Sequence, residues 1–127
     1  MKLRIKGNSL RLRVTPSDVQ QLLRDGVIGE HVQFTANPKD RLTYEVITSL
    51  SEPTATLAYQ LGNITVSMPE GQLNKWARSD DVGVYTEIPL GDGQVLSVAI
   101  EKDFACLDLN DAENEDTFLN PNLAATC

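Results

Sequence analysis

Histidine, cysteine and tryptophan are nearly missing from this chain, with one His, two Cys and one Trp among 127 residues. Cys106 and Cys127 form no Cys-x-x-Cys and read as free thiols of a reducing compartment. Together with His31 they offer three soft donors, one short of the set that a structural zinc site takes. No serine or cysteine sits in a nucleophile elbow, and no Gly-rich loop opens a helix. The acids at 111–116 lack the glycine and the spaced oxygens of a calcium loop. No catalytic residue, no metal ligand and no cofactor is therefore expected.

Long apolar runs are also absent, and none approaches the ~18 residues of a membrane helix. The basic start, Met1 to Lys6, leads into no apolar signal core, so a cytoplasmic address is expected. Cations are scarce in one part of the chain only. Residues 1–54 hold eight Lys/Arg against six Asp/Glu, whereas residues 55–127 hold three against twelve. The net charge of −7 speaks against duplex nucleic acid, whose binding is driven by basic charge. The polarity along the chain is the stronger signal.

Sliding the chain against itself by 54 positions brings apolar phases into coincidence. Leu10, Leu12 and Val14 fall on Ile64, Val66 and Met68, while Val19, Leu22 and Leu23 fall on Leu73, Trp76 and Ala77. Leu42, Tyr44 and Val46 fall on Leu96, Val98 and Ile100, and Gly29 falls on Gly83. A single α+β domain follows, a duplicated ββαββ unit with copy one at about 1–50 and copy two at about 54–103. Its eight mostly antiparallel strands and two helices are expected to make a curved sheet or an open barrel. Residues 107–127 read as an acidic tail.

Local signals place the elements. Thr15 is a helix N-cap, Pro16 takes the first helical position, Asp18 lies in the first turn and Gly26 is the stop. Ser67-Met68-Pro69-Glu70 has capping-box spacing for the second helix, which Trp76 anchors on the sheet. Strands are expected at about 31–35, 41–49, 83–89 and 94–102. Gly7-Asn8 and Gly62-Asn63 are the expected hairpin turns. The second of these sets Gln60 opposite Thr65 and Ala58 opposite Ser67.

The first hairpin carries the functional lead. Turning at Gly7-Asn8, it sets Arg4 opposite Arg11 and Lys2 opposite Arg13, with Lys6 opposite Ser9. Like charges directly opposed cost a few tenths of a kcal/mol per pair. An internal offset is available from Glu45, Glu101 or the tail acids Asp108, Asp111, Glu113, Glu115 and Asp116. The functional alternative is an anion site formed by Lys2, Arg4, Lys6, Arg11 and Arg13, whose N–H groups collect phosphate or carboxylate oxygens. The partner would be a phosphorylated small molecule or an acidic protein surface.

Two resemblances extend these readings. The alternation Lys2-x-Arg4-x-Lys6 with Arg11-x-Arg13 resembles the lining of triphosphate-tunnel enzymes, duplicated α+β units closed into an eight-stranded barrel. That likeness implies a metal-dependent enzyme on phosphorylated small molecules, with Glu45, Glu87 and Glu101 as carboxylates, although the family's Glu-x-Glu-x-Lys opening is absent here. Lys2–Arg13, Trp76–Gly83, Glu101–Cys106 and Glu115–Pro121 are similar to segments of a family of short bacterial proteins of unknown function. The second resemblance implies a bacterial cytoplasmic protein and no particular activity.

Overall fold

The computed structural model describes residues 1–104 and 116–119. The elements run β1 (Lys2–Lys6), β2 (Ser9–Val14), α1 (Pro16–Asp25), β3 (Val27–Gln33), β4 (Arg41–Ser49), β5 (Thr56–Gln60), β6 (Asn63–Pro69), α2 (Glu70–Ala77), β7 (Gly83–Gly91) and β8 (Gln94–Lys102). They form two four-stranded mixed sheets, ordered β1-β2-β8-β7 and β3-β4-β6-β5. The expected single curved sheet or open barrel is thereby corrected. Each helix carries the chain from one sheet to the other, so the first sheet joins the first and last hairpins of the chain while the second sheet is built from the two consecutive hairpins between the helices. Within a hairpin the strands are antiparallel, and the seams β2–β8 and β4–β6 are parallel. The Cys106 and Cys127 thiols and the tail acids Asp108, Asp111, Glu113 and Glu115 lie outside the described residues.

Helix α1 is capped at both ends. The Thr15 hydroxyl accepts from the Asp18 amide at 3.2 Å, and the Asp18 carboxylate accepts from the Thr15 amide at 3.0 Å. Two of the helix's orphan donors are satisfied reciprocally. Gly26 closes the helix at φ 78°, a left-handed conformation that costs a glycine little. Helix α2 departs from expectation. Strand β6 continues through Pro69, paired with Ser49, so Ser67 belongs to the ladder and no side chain caps the helix.

The hairpin turns divide in the same way. Lys6 pairs with Ser9, Arg4 with Arg11 and Lys2 with Arg13, as the Gly7-Asn8 turn requires. The second turn uses Leu61-Gly62 at φ 49° and 80°, one residue earlier than expected. Consequently Gln60 pairs with Asn63 and Ala58 with Thr65. The earlier start follows from the backbone: two successive positive φ angles suit the tight turn, and a Cβ at Gly62 would meet the Arg41 carbonyl at 2.6 Å. Strand β3 begins at Val27, straight after the Gly26 cap and upstream of the expected 31–35. His31 is an exposed residue of that strand.

One core cluster draws on both sheets and both helices, including Leu12, Val14, Val19, Leu22, Val46, Val66, Met68, Leu73, Trp76 and Ile100. Trp76 is the largest fully buried side chain, and its indole N–H donates to the Val82 carbonyl at 3.2 Å. Ile5, paired with Leu10 on the face opposite the cations, is not buried. It is 61% exposed on an edge strand and lines a shallow cleft with Leu57, Tyr59 and Ile64.

Lys102 ends β8 on the inward side and is only 6% exposed. Its ammonium donates to the Ser79 carbonyl at 2.6 Å and lies over the rings of Trp76 and Phe118 at 5.8 and 5.4 Å. Burial pushes its pKa down, while Asp80 and Asp81 hold it up. The described part of the tail is tied down beside it. Phe118 meets the Phe104 ring edge-on at 6.0 Å, and Asp116 accepts from the Ser17 amide at 3.2 Å.

Trp76→Ala is expected to cost roughly 3–5 kcal/mol of unfolding free energy, as other large-to-small core changes do. Thr48→Val should do the reverse. The buried Thr48 hydroxyl has no hydrogen-bond partner among the described residues, so its removal should stabilise by about 1 kcal/mol. Urea denaturation of the two variants checks both signs.

Candidate functional site

Side chains alternate across a strand, so the inward burial of Leu12, Val14, Val98 and Ile100 forces their neighbours outward. The register then arranges the outer face of the β1-β2-β8-β7 sheet in three rows. Lys6, Ser9, Ser97 and Glu87 form the first, and Arg4, Arg11, Ala99 and Tyr85 the second. Lys2, Arg13, Glu101 and Gly83 form the third. All five cations named from sequence share this face, on β1 and β2. The outer face of the other sheet carries Thr43, Glu45, Thr65 and Ala58 at the corresponding positions of its inner rows.

Two of the five cations are neutralised internally. The Arg11 Nε lies 2.8 Å from the Glu101 carboxylate, with the two side chains 41% and 15% exposed. The exposed Lys2 reaches Asp103 at 3.2 Å. Arg4, Lys6 and Arg13 have no carboxylate within ion-pair distance among the described residues. Asp116 sits at the start of α1, well apart from its expected role as counter-charge to the hairpin. Glu45 belongs to the other sheet and accepts from the Thr65 hydroxyl at 2.9 Å.

A groove of about 490 Å³ runs over the first two rows. Arg4, Lys6 and Arg11 form one wall, Tyr85 and Glu87 the other, and the small residues Ser9, Ser97 and Ala99 the floor. The volume falls within the usual range of small-molecule sites. Tyr85 donates its phenol to Glu101 at 2.7 Å, so Glu101 bridges the cationic and aromatic walls. Burial, followed by the hydrogen bond to Glu101, pushes the Tyr85 phenol up to about 12. The phenol therefore remains a neutral donor at neutral pH.

Sequence reasoning found the cations and missed the opposite wall. Tyr85 lies in an ordinary alternating strand, and nothing local distinguishes it from Tyr59. Only the β2–β8 pairing brings β7 to the cationic hairpin. The carboxylates proposed for a triphosphate-tunnel site do not converge. Glu87 and Glu101 share the cationic face, whereas Glu45 is on the other sheet. Among the described residues no three His, Cys, Asp or Glu side chains are grouped to hold a metal ion. The tunnel analogy is corrected by the absence of a closed barrel.

These features define an α+β protein with two mixed sheets and a cationic groove on the outer face of one. The chain belongs to a family of unknown function, DUF7009, whose model matches residues 1–122. Comparison with curated proteins and with solved structures finds no match to the chain. No described helix is long and apolar enough to cross a membrane.

The Tyr85 environment has an alkaline signature. A phenol raised in the folded state contributes stability that is intact below about pH 10, the ordinary tyrosine value. That contribution is lost as pH climbs toward about 12. In an absorbance titration at fixed temperature, the difference between wild type and Tyr85→Phe should show a phenolate step near 12. A difference step at the ordinary tyrosine value would show that the Glu101 contact is absent in solution.

Proposed function

We propose that the chain is a non-enzymatic anion-binding module whose N-terminal hairpin receives a phosphorylated small molecule or an acidic partner surface. One observation carries this reading. Arg4 and Lys6 project into a groove of small-molecule size with no described carboxylate to neutralise them. Lys2 and Arg13 extend the charge along the same face, and Arg11 presents its remaining guanidinium donors from the groove wall. Anion oxygens match such donors well, Arg offering a planar fork and Lys a point charge.

The finer architectural reading belongs to the same proposal: the fold is a duplicated ββαββ unit. The two parallel seams support it, because they match under a shift of 54 residues. Ser9 pairs with Ser97 as Asn63 pairs with Thr43, and Arg11 pairs with Ala99 as Thr65 pairs with Glu45. The hairpins that follow the helices break the match. Gly29 pairs with Glu45, whereas Tyr85 pairs with Ala99, so β7 is displaced by two residues and Gly29 does not correspond to Gly83. An even displacement preserves the apolar phase, which makes it invisible in the sequence. The cations were then gained or kept in one half only. A bacterial, cytoplasmic setting, implied by resemblance, completes the reading.

Thermal-shift measurements with phosphate, triphosphate, nucleotides and short polyanions are the test, since a ligand of the folded state raises apparent stability by mass action. At least one anion should raise the melting temperature, by less as salt increases. Arg4→Thr with Arg11→Thr should abolish the rise while leaving the fold intact. Arg4→Thr with Lys6→Thr spares the Arg11–Glu101 pair and should give the same result. An unshifted melting temperature with every anion would sink the proposal.

A further inference from the structure

The groove has two chemically distinct walls. Its cationic wall lies on β1 and β2, and the opposite wall offers an aromatic ring and a carboxylate on β7. Adjacent strands are about 4.8 Å apart, so roughly 10–14 Å separates the walls. Inorganic phosphate would occupy only one of them. A ligand that uses the whole groove needs an acid at one end and a planar group with N–H donors at the other.

Tyr85 suits the planar group. It is 59% exposed, yet its hydroxyl is tethered to Glu101, so the ring can be covered without first being ordered. Glu87 suits the donors. It is exposed, its carboxylate forms no ion pair or hydrogen bond among the described residues, and it lies two residues along from Tyr85 on the same face. A carboxylate accepts two parallel N–H bonds. Guanine presents two adjacent N–H donors on one edge, adenine presents no such pair, and uracil has a single N–H there. Between the walls, Ser9, Ser97 and Ala99 leave space for a sugar, with the Ser97 hydroxyl at the floor.

Building on the anion-site reading, we propose that the groove binds a guanosine monophosphate. Its phosphate lies on Arg4, Lys6 and Arg11, its ribose crosses Ser97 and Ala99, and its base covers Tyr85 with the N–H edge on Glu87. Base stacking on an aromatic side chain and carboxylate recognition of base N–H groups are established modes of nucleobase readout. The polar pair at Glu87 supplies base choice, and the cations supply general affinity.

Calorimetric titration of the full chain with GMP, UMP, ribose 5-phosphate and inorganic phosphate tests the assignment. GMP should bind at least about tenfold more tightly than UMP or ribose 5-phosphate. Glu87→Gln should remove the preference for GMP over UMP and leave ribose 5-phosphate binding unchanged. Tyr85→Leu should weaken both nucleotides but not ribose 5-phosphate. Both residues are exposed, so the variants should fold, which circular dichroism of each variant checks. Equal binding of GMP and ribose 5-phosphate, lost in Arg4→Thr/Arg11→Thr, would overturn the nucleotide assignment while sparing the anion site. Binding of polyglutamate but none of the four small ligands would overturn it in favour of an acidic protein partner. Failure of every probe would overturn both readings.

Discussion

Parallel pairing of β2 with β8 is the constraint on which the rest of the molecule depends. It joins residues 9–14 to residues 97–102, nearly the whole described chain apart. The seam aligns Leu12 with Ile100 inward and Arg11 with Ala99 outward, closing the core and flooring the groove in one step. Parallel strands cannot be joined by a tight turn, so the chain between them must cross over. Here that crossover contains both helices and the entire second sheet. The second seam, β4 with β6, is the local one, and the link between them carries only a short excursion through β5.

The same seam resolves the electrostatic problem of the first hairpin. Two opposed like-charge pairs would be mildly unfavourable in isolation. Glu101 arrives on β8 beside Arg13 and ion-pairs with Arg11, while Asp103, just beyond the strand, meets Lys2. The offset is partial. Arg4 and Lys6, on the far edge strand, are beyond the reach of these acids and remain directed at the groove. A charged edge also discourages pairing with another chain, so these cations suit an edge strand whether or not a ligand is bound.

Much of the local structure was legible because it depends on neighbours in sequence. The Thr15-Pro16-Asp18 start and Gly26 stop of α1 need only the backbone's unpaired groups and a positive φ. The first hairpin register follows from its turn, and the central strands β4 and β8 match the alternation. The failures share one cause. Ser67 cannot cap α2 because its strand is held in a ladder with β4, and Leu61-Gly62 takes the second turn because the ladder beside Arg41 closes there. Lys102 offers a third case. No local signal marks it as buried, yet Trp76 and Phe118 enclose it from other elements.

The candidate site divides along the same line. Alternation within β1 and β2 by itself determined that five cations share one face, because side-chain direction has a period of two. The recurring apolar phase foretold the order of elements. Tertiary structure alone decided which strand lies beside the cations. It chose two open sheets over one closed barrel, assigned Glu101 to Arg11 and sent Glu45 to the opposite sheet. It also set Tyr85 and Glu87 across a floor of small residues. Long-range pairing is selected by the burial of a whole face at once, and no single stretch of chain contains the information for that choice.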